Sequence, residues 1–178
     1  ECRSLFRAST NHLLVGCDAD GLELRALAGY LKQFDGGTYA EAAVSGTKEA
    51  GTDIHTINMR ALGIDSRDTA KTFFYAFIYG AGDAKLGTIL GGAAKKGRES
   101  RAAFLAGVDG LMELTDRVKQ VFRRRGYLVG LDGRKLHIRS EHSALNTLLQ
   151  SAGAVLMKKA LILLDERLKM YYDHCDYE

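Results

Sequence analysis

The chain contains no proline, where average usage of roughly 5% would give about nine. No residue therefore locks φ or removes an amide donor inside a helix, so long uninterrupted helices are expected. Cysteine is scarce as well. Cys2, Cys17 and Cys175 are odd in number and widely spaced, which argues against a disulfide framework or a zinc ligand set and for free, buried or partly buried thiols. No stretch reads as long and apolar enough to span a bilayer, and no signal-peptide pattern precedes the first apolar segment. Internal repeats, low-complexity segments and flexible linkers are also missing. The expectation is a soluble cytoplasmic protein with no membrane contact, about one domain in size. The chain opens at Glu1 rather than at a methionine and stops at Glu178 just past an expected helix, as an excerpt from a longer protein would.

Hydrophobic residues make up 46% of the chain, enough for a core, and the net charge is only +3. The distribution of that charge says more than its sum. Between Cys17 and Asp53 seven acids (Asp18, Asp20, Glu23, Asp35, Glu41, Glu49, Asp53) face Arg25, Lys32 and Lys48, a balance suited to a metal ion. Between Arg117 and Arg139 eight cations (Arg117, Lys119, Arg123, Arg124, Arg125, Arg134, Lys135, Arg139) face only Asp132. That stretch suits a nucleic-acid backbone. A solvated helix face has similar composition, so the choice falls to the motifs.

The stretch RDTAKTFFYAFIYGAG, Arg67 to Gly82, is the most informative. Arg67, Lys71, Tyr75 and Tyr79 recur every fourth residue and form one slowly turning stripe of a helix. Ala70, Phe73, Phe74, Phe77 and Ile78 make the adjacent apolar face. Asp65 or Ser66 can cap the N-terminus, where free amides and the macrodipole favour an anion, so the positive end reads as a phosphate grip. Gly80 and Gly82 end the helix.

Upstream, Leu13 to Cys17 is an almost continuous apolar run ending in Asp18, read as a strand buried on both faces that delivers a carboxylate at its end. Glu23 lies near the start of the helix that follows. Gly36 and Gly37 mark a turn, Tyr39 to Val44 a short helix and Ser45 to Gly51 a loop. Asp53 can cap the next helix, with His55 in its first turn. Downstream, Asp83 to Leu90 reads as a helix, and Ala94 to Arg125 as two or three more with a break near Gly107 and Gly110. Asp132 and Gly133 form the turn of a hairpin whose second strand is basic. A long helix from Glu141 or His142 carries a wide apolar face that belongs in a core, interrupted by Asn146 and Gln150, four apart and able to contact base edges or to be satisfied within the protein. The final YYDHCDYE is rich in ligand types but too crowded at a chain end to read as a metal site.

Taken together, these stretches resemble the polymerase domain of family A DNA polymerases, most closely the replicative enzymes of short-tailed bacteriophages. DADGLELR, Asp18 to Arg25, is similar to the first palm motif, RDTAKTFFYAFIYGAG to the fingers helix, and GLDGRKLHIRSEHSALNTLLQSAGA, Gly130 to Ala154, to the segment returning to the palm. DIHT, Asp53 to Thr56, also fits the phage pattern. The motifs fall in family order from about Leu13 to Ala154. The fold this implies is α+β and mostly helical, part of a right-hand polymerase: palm over 1–33, fingers over 34–139 and a palm return helix over 140–178.

The resemblance implies template-directed DNA synthesis from deoxynucleoside triphosphates on primer-template DNA, with two Mg²⁺ ions. It casts Asp18 as metal ligand, Asp18 and Lys71 as catalytic residues, and Arg67, Lys71 and His55 as holders of the triphosphate. Tyr75 would lie against the incoming base and sugar, Tyr79 would shape the templating-base pocket, and Glu23 would exclude a ribose hydroxyl. Arg134, Lys135, Arg139, His142, Asn146 and Gln150 would contact DNA, although bacterial relatives carry Arg in place of His142. Tyr75, where many bacterial relatives have Phe, implies ready use of dideoxynucleotides. Closure of the Arg67 helix would couple pairing to chemistry. A processivity factor would bind the thumb, and the setting would be the host bacterial cytoplasm. One departure stands out: the family's second carboxylate motif, His-Asp-Glu, does not occur after the Gln150 helix, and His174 and Asp176 do not replace it. The segment by itself is therefore expected to be inactive. The competing expectations are a single-subunit RNA polymerase fragment and a non-catalytic nucleic-acid-binding module.

Overall fold

Eight α-helices and one two-stranded ribbon make up most of the described residues, 2–171, in the computed structural model. The residues at either end, including Cys175, His174 and Asp176, lie outside this description. The helices are α1 (Leu22–Asp35), α2 (Thr38–Ser45), α3 (Ile54–Leu62), α4 (Arg67–Ile78), α5 (Asp83–Ile89), α6 (Ala94–Gly107), α7 (Leu111–Arg125) and α8 (Ala144–Tyr171). Strands β1 (Tyr127–Val129) and β2 (Lys135–His137) pair antiparallel between α7 and α8.

Local chemistry sets the boundaries. The αL conformations of Gly36 and Gly37, with φ of 68° and 100°, turn the chain between α1 and α2. Asp35 fixes that turn by accepting the Gly37 and Tyr39 amides, both at 2.8 Å. Asp53 caps α3 and Ser66 caps α4, each satisfying an otherwise orphan amide. In the hairpin the Gly133 amide donates to the Gly130 carbonyl and Gly133 takes a φ of 79°. The turn is therefore a type I turn closed by an αL glycine rather than a two-residue loop.

The core gathers around the apolar face of α4. Ala70, Phe73, Phe74, Phe77 and Ile78 are all buried, and Phe104 of α6 meets the rings of Phe73, Phe74 and Phe77 edge-on at 5.7, 6.4 and 5.2 Å. Such edge-to-face pairs contribute about 0.5–1.5 kcal/mol each beyond area burial. Helices α5 and α6 approach so closely that a Cβ built on Gly97 would lie 1.9 Å from the Asp83 carbonyl oxygen. On the other side α1 packs on α8 and α7.

Several sequence expectations are corrected. Leu13 to Cys17 forms no strand; Leu13, Leu14 and Val15 are 90%, 70% and 88% exposed. A strand needs a lateral neighbour for its amides and carbonyls, and the only sheet among the described residues is the β1–β2 ribbon. Cys2 and Cys17 are exposed rather than buried, because neither lies on a packed element face. Asp18 therefore stands not at a strand end but in the irregular segment before α1, whose N-cap is Gly21. The apolar face of α8 is core only in its first turns, where Ala144, Leu148, Leu149, Ala152 and Gly153 are buried; Leu161, Ile162 and Leu164 are exposed.

The helical stretch Glu141–Tyr171 also overturns the expectation about bilayer-spanning length. An 18-residue window of it reaches a mean hydropathy of 1.4 and is 22% buried, so by length and composition it could cross a membrane. Lys158 and Lys159 interrupt the apolar run near its middle. Ammonium groups at a bilayer centre cost about 2.5–3.5 kcal/mol each on insertion scales. That pair makes an apolar protein surface a better neighbour than lipid.

Candidate functional site

The N-termini of α3 and α4 meet through one carboxylate. Oδ1 of Asp53 accepts the His55 amide at 3.0 Å and both Nε and Nη2 of Arg67, at 3.1 and 2.7 Å. Its Oδ2 accepts the Thr56 hydroxyl at 2.5 Å. Burial alone would raise the Asp53 pKa, but hydrogen bonds from Arg67, Thr56 and the His55 amide, with the Arg67 charge, outweigh it and hold the carboxyl at about 2. Arg67 thus sits in the first turn of α4, where the helix dipole adds to its charge. Lys71, one turn on, is exposed.

His55 lies against the same helix, its ring 6.3 Å from Phe74 and 6.2 Å from Tyr75. Burial lowers its pKa, and the charges of Arg67 and Lys71 lower it further, so the ring is neutral at pH 7. Its Nδ1 is buried without a hydrogen-bond partner. Together Arg67 and Lys71 make a cationic end with the His55 imidazole beside it.

The C-terminal half of the stripe meets α1 and α8. Tyr75 and Tyr79 stack at 6.4 Å with 24° between their planes. The Tyr79 hydroxyl donates to Oε1 of Glu23 at 2.8 Å, and Nε2 of Gln150 reaches the same oxygen at 3.4 Å. Residues from α1, α8 and the C-cap of α4, 127 positions apart at the extremes, converge on one carboxylate. The hydrogen bond to Glu23 is the main cause of a raised Tyr79 pKa; burial, then the charges of Glu23 and Asp20, raise that of Tyr75.

Asp18, Asp20, Glu23, Tyr75 and Met157 line a cleft of about 380 Å³. Its carboxylates are hard oxygen donors, the kind Mg²⁺ takes with retained water or phosphate oxygens. No group of three His, Cys, Asp or Glu residues converges among the described residues. The donors present fit such an ion in kind.

A second, larger cleft of about 480 Å³ opens between the end of α4 and the start of α8, lined in part by Gly80, Arg101, His142 and Asn146. Oδ1 of Asn146 is buried there without a partner. Arg123 of α7 holds Glu141 with two bonds of 2.7 and 2.6 Å, fixing the turn before α8. Among the basic candidates on the ribbon, Arg134 pairs with Asp132, and Lys135 stands 4.9 Å over the Tyr127 ring. Arg139 is exposed.

The structure thus brings Asp18, Glu23, Tyr75, Tyr79 and Gln150 to one side of α4, with His55, Arg67 and Lys71 at its head. Arg134, Lys135 and Arg139 lie on and after the ribbon. Sequence reasoning missed the grip of Asp53 on Arg67. Asp53 was legible as a cap, but a pairing 14 residues away between the starts of two helices has no local signature.

A family model described as DNA polymerase family A matches residues 1–175. The DNA-directed DNA polymerases of Enterobacteria phage T3 and Escherichia phage T7 are each 41% identical to this chain over 191 residues, covering 94% of it and 26% of their own length. That of Escherichia phage Phieco32 is 43% identical over 180 residues, covering 86% and 29%. The chain thus spans about a quarter of the length of these curated relatives. Among solved structures, the POL domain of Pol1 from M. smegmatis, in complex with DNA primer-template and dNTP, is similar with a TM-score of 0.68. The match covers 86% of this chain and 29% of that one at 21% identity, a likeness of fold.

Proposed function

This chain belongs to DNA polymerase family A, and on that premise we propose that it supplies the nucleotide-binding face of a DNA-directed DNA polymerase. The substrates are deoxynucleoside triphosphates and primer-template DNA, and pyrophosphate is released. Membership of the family displaces the single-subunit RNA polymerase as a rival. The observation that carries the proposal is the single stripe of α4, cationic at its head and hydrogen-bonded through Tyr79 to Glu23 and its neighbour Gln150 at its tail.

The roles follow from that stripe. Arg67 and Lys71 receive the β- and γ-phosphates at the positive end of α4, where charge-assisted hydrogen bonds are strongest. Lys71, with no carboxylate pinned to it among the described residues, offsets the charge that develops as pyrophosphate departs. Neutral His55 offers a hydrogen bond rather than a third charge. Tyr75 carries the base and sugar. Glu23, held by Tyr79, closes the space beside the sugar against a 2′-hydroxyl.

Asp18, with Asp20 beside it, would hold Mg²⁺ as part of a two-ion site completed by residues other than these. When bound, such ions lower the pKa of the attacking hydroxyl and neutralise phosphate charge. Asn146 and Gln150 read minor-groove acceptors common to all correct pairs, testing geometry rather than sequence. Arg134, Lys135, Arg139 and His142 follow the DNA backbone; Arg134 must exchange Asp132 for phosphate to do so. In this proposal the palm comprises 1–33 and 140–178 and the fingers 34–139. The setting is phage replication in the host bacterial cytoplasm, with any processivity factor on a thumb.

The test is Asp18→Ala in a complete polymerase carrying this segment. Loss of primer extension with retained DNA binding is the expected result. Unchanged synthesis would instead support a non-catalytic nucleic-acid-binding module.

A further inference from the structure

We infer that Asp53 is a positioning residue of the phosphate grip, aiming the Arg67 guanidinium and tying the start of α3, with His55, to the start of α4. This rests on the proposed triphosphate role of α4 and goes beyond it. It assigns a part to a buried anion whose charge, by itself, would repel the ligand.

The geometry supports the assignment. Arg67 spends one edge on Asp53, with Nε and Nη2 both on Oδ1 at 3.1 and 2.7 Å. A guanidinium carries five N–H donors, so three remain to meet phosphate oxygens. The Asp53 side chain is 12% exposed and that of Arg67 29%, so the carboxylate lies beneath the cation that it orients. Asp53 is itself fixed by the His55 amide and the Thr56 hydroxyl. A free arginine carries rotamer entropy that is lost when the side chain is ordered. Pinning one edge before the ligand arrives removes much of that cost from binding.

Two effects of Asp53 therefore oppose each other. Its charge weakens anion binding through space, and its hold on Arg67 strengthens binding through preorganisation. The buried, fully bonded carboxylate makes the second effect the larger, and the sign of one substitution decides between them.

Isothermal titration of a complete polymerase carrying this segment with inorganic tripolyphosphate provides the test. Asp53→Ser keeps a good N-cap for α3 but is too short to reach Arg67; Asp53→Asn keeps both the cap and an oxygen for Arg67. Positioning predicts that Asp53→Ser weakens binding about tenfold, the scale of a lost charge-assisted hydrogen bond, and that Asp53→Asn stays within about threefold of the parent. Combined with Arg67→Ala, Asp53→Ser should add nothing, because the two residues act as one unit. Equal or tighter binding by Asp53→Ser, or an additive loss in the double variant, would overturn the inference and leave the grip intact. If Arg67→Ala binds as tightly as the parent, or the parent does not bind, the grip itself is wrong and the inference falls with it. Melting temperatures of the same variants separate these outcomes from loss of fold.

Discussion

Glu23 shows how one side chain acquires a role from its neighbours. Its carboxylate accepts from the hydroxyl of Tyr79 at the C-cap of α4, with Gln150 of α8 beside it, and so is held where the sugar is proposed to lie. In a complete polymerase carrying this segment, Glu23→Ala should raise the ratio of ribo- to deoxynucleotide incorporation. Tyr79→Phe should act in the same direction by about tenfold or less, since it frees the carboxylate without removing it. Competition between the two triphosphates at a single template position measures both ratios. Asp53 makes a prediction about pH instead. Its folded pKa of about 2 lies below the ordinary 3.8, so its stabilisation is fully present above about pH 4 and is lost as pH falls through about 2. The contribution is on the order of 2 kcal/mol. Thermal melting between pH 5 and pH 2, values roughly spanning that window, should show a steeper fall for the parent than for Asp53→Asn. Capping by Asp53 was legible in the sequence because it is local; the partner that depresses its pKa was not.

At the scale of elements, α5 and α6 depend on what is absent from Gly97. A methyl group there would meet the Asp83 carbonyl and the Gly87 amide. Gly97→Ala should therefore destabilise the chain by about 1–3 kcal/mol, the usual cost of overpacking, even though alanine is the better helix former. Denaturant unfolding measures the difference, and a stabilised variant would show that the helices separate freely. Most helix limits were legible: the face of α4, the glycine turn at Gly36 and Gly37, and the break between α6 and α7 all follow from periodicity and backbone preference. The run from Leu13 to Cys17 was misjudged because a strand is defined by its neighbours, which composition does not reveal. The outer half of α8 was misjudged for the same reason, since an apolar face is buried only where another surface meets it.

For the molecule as a whole, the proposed chemistry asks for more carboxylates than converge among the described residues. The carboxylates on the cleft side of α4 are proposed to supply part of a metal site, no group of three His, Cys, Asp or Glu converges among the described residues, and the sequence contains no His-Asp-Glu triplet. The 178-residue chain should accordingly fail to extend a primer in Mg²⁺; incorporation templated by added DNA would contradict this. What the sequence determined by itself is whatever is local or periodic: the helical class, the two-faced stripe from Arg67 to Tyr79, the caps, and the ordered motifs of the family. Only the tertiary structure decided that Glu23, Tyr79 and Gln150 meet, that Arg67 already leans on Asp53, and that the outer half of α8 lies bare. The physical reason is that spacing along a helix fixes which residues share a face, whereas pairing between faces depends on how separate helices pack.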